Sequence, residues 1–156
     1  ANVLNGLGKE YIKQTLGKLK FVGGGDGNKE IKTDIQNMWT VHSYAGDYNL
    51  LHDHGTRSYM GLSCILYLKV PPQIEANKSL QGLNGASGVV DGFTYWCWGV
   101  NGMRDVNMLR PITEEYVKPE VGTMIIFPAW LRHAVMPFSG EGERRTFSAN
   151  INVEMQ

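Results

Sequence analysis

The chain has 156 residues, most simply one domain and long enough to bury a core without disulfide or metal staples. Fifteen basic residues balance fifteen acidic ones, which leaves no electrostatic footprint for nucleic acid or an anionic membrane surface. Two cysteines, Cys64 and Cys97, make no disulfide framework, and no run approaches the roughly 18 to 20 continuous apolar residues of a membrane span. The chain begins at Ala1 without a methionine or a signal-like pattern, which reads as a processed or excised start. A cytoplasmic location is the default expectation, and oligomeric state is not legible.

Residues 4–19 place Leu4, Leu7, Tyr11, Ile12, Leu16 and Leu19 on one broad helical face. Gly23-Gly24-Gly25-Asp26-Gly27-Asn28 then stops the helix. The run lacks the Gly-Lys-Ser/Thr ending of a phosphate loop and reads as a turn. Residues 30–37 are expected to form a short second helix. From Met38 the texture changes to strands, with Met38–Tyr44 aromatic and β-branched and a turn at Ala45-Gly46-Asp47. Met60–Val70 is nearly continuous apolar sequence, as in a strand buried on both faces, and Pro71-Pro72 ends it. Residues 73–92 read as a long loop or lid. Gly92–Trp98, Met108–Ile112 and Thr123–Phe127 supply further strands. In the last strand Arg144, Thr146, Ser148, Asn150 and Asn152 alternate with Arg145, Phe147, Ala149, Ile151 and Val153. Its polar face either meets water or lines a pocket.

Seven or eight short strands behind an amino-terminal helix, without βαβ alternation, predict a mainly β fold, either a β-sandwich or a closed β-helical barrel. The division expected is a helical lead-in over 1–37 and a β core over 38–156 of a single domain.

His52 and His54 stand two residues apart, so on a strand both imidazoles reach one point. His133 follows the run Gly122–Phe127-Pro128 and supplies a third. Three imidazoles suit iron, zinc, copper or nickel, and an incomplete set leaves open positions for catalysis. His42 has no such company and reads as an ordinary strand residue.

Three pieces in order resemble the iron(II)/2-oxoglutarate-dependent dioxygenases, especially the prolyl-hydroxylase-like branch. They are Tyr44-Ala-Gly-Asp-Tyr48 leading to His52-Asp-His54, then Ser63-Cys-Ile-Leu-Tyr67-Leu, then Gly122–Pro128 with His133-Ala-Val-Met-Pro137 and Arg144-Arg-Thr146. The resemblance implies a double-stranded β-helix, a jelly-roll or cupin-like barrel, with Fe(II) and 2-oxoglutarate as cofactors. It makes His52 and His133 metal ligands and Arg144 the partner of the far carboxylate of 2-oxoglutarate. Tyr67 and Thr146 stand beside that carboxylate. A guanidinium fork suits a carboxylate, and the alternation favours Arg144 over Arg145. The implied reaction couples hydroxylation of a small-molecule or peptide substrate to release of succinate and carbon dioxide.

The chain departs from the family pattern of His-any-Asp by placing His54 third. Asp53 points to the other face of a strand. Three readings follow: a three-histidine site, a carboxylate from Asp47 or Asp91, or a site that has left catalysis behind. Trp39, Tyr95, Trp96, Trp98 and Trp130 are candidates for a substrate wall, although strand aromatics are more often core. A cupin-type three-histidine dioxygenase or isomerase is the rival enzyme, because Gly46, His52 and His54, then Gly122, Pro128 and His133, match its spacing. It gives no reason for Arg144 and Tyr67. A non-catalytic β-barrel that binds a ligand is the third reading.

Overall fold

A computed structural model of the chain describes residues 1–18, 30–58, 60–76, 90–99 and 111–155. The amino-terminal helix α1 spans Asn2–Lys18 and is followed by strand β1, Ile31–Ser43. The helix expected over 30–37 is therefore a strand. Ile31, Thr33 and Ile35 alternate with Lys32 and Asp34, a period of two, and their backbone pairs with Met155–Ile151. Pairing with a long partner decides what local propensity left open. The remaining elements are β2 (Asn49–His52), β3 (Met60–Lys69), α2 (Pro72–Ala76), β4 (Thr94–Cys97), β5 (Glu114–Val117), β6 (Met124–Pro128), β7 (Arg132–Val135) and β8 (Arg144–Met155). The loop read over 73–92 begins with α2, and residues 77–89 of it lie outside the described residues. So do the glycine run at 23–28 and most of the strand expected at Met108–Ile112.

The eight strands form two four-stranded antiparallel sheets, ordered β1-β8-β3-β6 and β2-β7-β4-β5. This is the expected double-stranded β-helix, or jelly roll, with its helix at the amino end. Gly46 and Gly122, at φ 86° and 87°, occupy the left-handed conformation that their turns need.

The core has two layers, and strand β3 contributes to both. Ile65, Tyr67, Phe93, Trp96 and Phe127 meet between the sheets. On the outer face Leu62, Cys64, Ala149, Ile151 and Val153 pack under Leu4 and Ile12 of α1. Period-two alternation sends neighbouring residues of each strand to opposite layers, which explains the unbroken apolar texture of β3. Helix and sheet approach closely at Gly8, where a β-carbon would stand 3.6 Å from Ile151. Among the described residues no helix is long and apolar enough to cross a membrane.

Truncating Ile151, fully buried between β8 and the helix, to alanine is expected to cost roughly 2–5 kcal/mol in chemical denaturation. Leu50→Ala at an exposed site should stay within about 0.5 kcal/mol.

Candidate functional site

Strand pairing builds the histidine cluster. His52 ends β2 and lies directly opposite His133 of β7 in the antiparallel register, and Trp96 of β4 is opposite His133 on its other side. His54 lies just beyond β2, where its backbone N–H donates to the carbonyl of Ala129 at 2.9 Å. One ligand atom from each of His52, His54 and His133 falls within 4.8 Å of the others. The structure thus brings the three sequence-predicted histidines to one point.

The rings are oriented by backbone carbonyls. His52 Nδ1 donates to Leu50 O at 2.6 Å, and His133 Nδ1 donates to Leu131 O at 3.1 Å. A carbonyl only accepts, so both rings carry a proton on Nδ1 and turn Nε2 away from these carbonyls. His54 Nε2 then donates to His133 Nε2 at 3.2 Å, a bond that an ion would replace. Burial draws the His133 pKa down to about 4, and burial followed by the neighbouring His52 lowers that of His54. Both are neutral near pH 7, the protonation state that a metal ligand requires. His133 stacks on Trp96 at 5.2 Å and meets the edge of Phe127 at 5.0 Å.

No carboxylate joins this cluster among the described residues. Asp53 is exposed. Asp47 accepts the Tyr44 N–H at 2.8 Å and so closes its own turn. Asp91 sits in the turn before β4.

The histidines open onto a cleft between the sheets, lined also by Trp39, Ile65, Arg144, Thr146 and Ser148. The polar face of β8 therefore lines a pocket, as one of its two expected readings had it. Arg144 is 2% exposed. Its Nε donates to Gly92 O at 3.0 Å and its Nη2 to Thr94 Oγ1 at 3.2 Å, and its guanidinium carbon lies 5.3 Å from the centre of the Tyr67 ring. Burial lowers its pKa, yet a guanidinium remains charged. Among the described residues no carboxylate forms an ion pair with it. Tyr67 is fully buried, its hydroxyl 2.8 Å from Thr94 Oγ1, and burial raises its pKa so that it keeps its proton. Tyr67 lies behind Arg144 and is not one of the cleft-lining residues.

Arg145 points the other way. Its Nε and Nη2 donate to Glu143 at 2.9 and 2.7 Å, and the same carboxylate meets His42 Nδ1 at 2.6 Å and Lys69 Nζ at 3.3 Å. His42, read as an ordinary strand residue, belongs to this cluster. Of the candidate aromatics, Trp39 lines the cleft 5.7 Å from His54, and Trp96 is buried against His133. Tyr95 bonds Glu114, while Trp98 and Trp130 are exposed. Sequence reasoning missed Thr94, because one threonine in an aromatic strand carries no signal of its own.

A two-sheet jelly roll with a histidine cluster and a buried arginine facing one cleft, without an anionic partner among the described residues, offers one place for a metal ion and one for an anion. The family model described as "Putative 2OG-Fe(II) oxygenase" matches residues 37–150, well over half of the chain. The chain belongs to this family, whose cofactors are iron(II) and 2-oxoglutarate. Among solved structures it is similar to HygX from Streptomyces hygroscopicus with iron bound, at 13% identity over 77% of this chain and 58% of that one, with a TM-score of 0.48. HygX with nickel and 2-oxoglutarate bound gives 12% identity over 77% and 57%, with a TM-score of 0.49. AviO1 from Streptomyces viridochromogenes Tue57 gives 12% over 78% and 51%, with a TM-score of 0.47. The chain thus spans little more than half the length of these proteins. No curated protein sequence matches it.

The Glu143 cluster sets an expectation for acid stability. Hydrogen bonds from Arg145 first, then from His42 and Lys69, pull the Glu143 carboxyl from 4.5 to about 2. Its folded pKa is depressed, so its stabilisation is complete above pH about 4.5 and is lost as pH falls through about 2. Melting temperatures measured across that window should fall less steeply for Glu143→Gln than for the wild type.

Proposed function

We propose that this chain, as a single domain over 1–156, is an Fe(II)- and 2-oxoglutarate-dependent dioxygenase that hydroxylates a small-molecule or peptide substrate with release of succinate and carbon dioxide. The observation that carries this reading is Arg144, a buried cation that faces the cleft without an anionic partner among the described residues. An isolated buried charge costs several kcal/mol, of rough order, unless something pairs with it, and a ligand carboxylate is the partner that removes the cost.

The residues fit both groups. His52, His54 and His133 would hold the metal: they are nitrogen donors within reach of one point, neutral at His54 and His133, of the softness that iron(II) accepts. Bound there, iron(II) and 2-oxoglutarate supply the dioxygen-dependent oxidation that places one oxygen atom on the substrate and the other in succinate. Arg144 holds the far carboxylate and Thr146 flanks it, while Tyr67, expected beside that carboxylate, backs the guanidinium. Thr146 lies on the same face of β8 as Arg144 and lines the cleft. Trp96 and Phe127 exclude water from one side of His133, and Trp39 closes the side near His54.

The all-histidine cluster also favours a second reading, a cupin-type three-histidine dioxygenase or isomerase. The two differ in what they ask of Arg144, which only the first requires.

The experiment is 2-oxoglutarate turnover by anaerobically iron-loaded protein, following succinate. Wild type should form succinate slowly without substrate, and His52→Ala, His54→Ala and His133→Ala should lose both iron binding and turnover. Arg144→Ala should keep iron while its KM for 2-oxoglutarate rises at least about 30-fold, the counterpart of roughly 2 kcal/mol for stranding one partner of a charged pair. Iron binding without any effect of 2-oxoglutarate would overturn the proposal in favour of the cupin reading.

A further inference from the structure

Arg144 belongs to β8, in the sheet ordered β1-β8-β3-β6, but the groups that hold it belong to the segment entering β4 in the opposite sheet. Gly92 O takes the Nε proton and Thr94 Oγ1 takes one from Nη2. These two nitrogens form one side of the planar guanidinium. Both bonds lie on that side, so the end formed by Nη1 and Nη2 is turned away from Gly92 and Thr94 and can meet a carboxylate fork.

Thr94 is 0% exposed, and its hydroxyl serves two partners. It accepts from Arg144 at 3.2 Å and shares a proton with the Tyr67 hydroxyl at 2.8 Å. Tyr67 in turn presents its ring to the guanidinium. The three side chains are thus linked in pairs, and the Thr94 oxygen hydrogen-bonds both others. The support beneath it is rigid. Gly92 sits at φ 72°, and a β-carbon there would stand 2.3 Å from Ile74 Cδ1, inside the core. The Gly92 N–H donates to Pro137 O and the Phe93 N–H to Val90 O, both at 3.0 Å.

We propose that Thr94 is a positioning residue that, through its hydroxyl, aims the free end of the Arg144 guanidinium at the far carboxylate of 2-oxoglutarate. This rests on the assignment of Arg144 made above. A valine at 94 has the same shape without the oxygen. It removes the acceptor of Arg144 Nη2 and the partner of the Tyr67 hydroxyl in a dry site, and of the two bonds from the β4 segment to the guanidinium only the one at Nε remains. Thr94 touches neither metal nor substrate in this account, so its loss falls on 2-oxoglutarate affinity and not on the oxidation.

The test is anaerobic titration of 2-oxoglutarate into iron(II)-loaded wild type, Thr94→Val, Thr94→Ala, Thr94→Ser and Arg144→Ala, with KM and kcat for succinate formation measured beside the dissociation constant. Iron affinity and melting temperature report on folding. The expected result is a roughly 10-fold or greater weakening of 2-oxoglutarate binding in Thr94→Val and Thr94→Ala, with iron affinity unchanged and kcat within about threefold. Thr94→Ser, which keeps the oxygen, should bind within about threefold of the wild type. If Thr94→Val fails to fold, the alanine and serine variants carry the comparison. Binding by the valine or alanine variant within twofold of wild type, or a serine variant as weak as either, overturns the role of Thr94. If Arg144→Ala also binds 2-oxoglutarate normally, the assignment of Arg144 fails as well, and the two failures are distinguished.

Discussion

A positive charge sealed between two β-sheets is the constraint from which the rest of the site follows. Arg144 cannot shed its proton, cannot reach bulk water and has no carboxylate partner among the described residues. The surrounding chain compensates with neutral groups: a carbonyl from Gly92, a hydroxyl from Thr94 and the face of the Tyr67 ring. Neutral acceptors and π faces soften the cost of such a charge without cancelling it. The residual attraction is directed into the cleft, toward the histidines.

Adjacent arginines at the start of β8 show how the chain separates two similar side chains. Alternation alone puts Arg144 and Arg145 on opposite faces. The Glu143 carboxylate then captures Arg145 from outside, together with His42 and Lys69. Inward and outward cations are therefore sorted by strand geometry and secured by one acidic residue. The same alternation lets β8 face a polar cleft on one side and the amino-terminal helix on the other.

How much of this is legible in the sequence depends on whether a signal is periodic or spatial. The β character, the turn at Gly46, the amino-terminal helix and the two-faced strands are carried by local spacing, and they are legible. His52 and His54 are conspicuous because they are close in sequence, and His133 because it follows a glycine-to-proline strand. The polar face of β8 is legible as a pattern, but burial between the sheets is what assigns it to a pocket. The first half of β1 is misread as helix because its alternation is short and its partner lies at the far end of the chain. Thr94 and Gly92 carry no local signal, since what distinguishes them is an arginine fifty or more positions away that reaches across the gap between sheets.

The histidines and the arginine enter the cleft from different sheets: His52 and His133 from β2 and β7, Arg144 from β8. A dicarboxylate held at both ends would therefore act as a strut between two halves of the fold that otherwise meet mainly through apolar packing. Its binding energy becomes resistance to the sheets parting, and ligand occupancy becomes part of the mechanical integrity of the domain. The gap between the sheets is likewise a gauge of ligand length. Residues that set the gap from a distance, such as Phe93 and Phe127 in the intersheet core, would thereby share in choosing such a ligand without touching it.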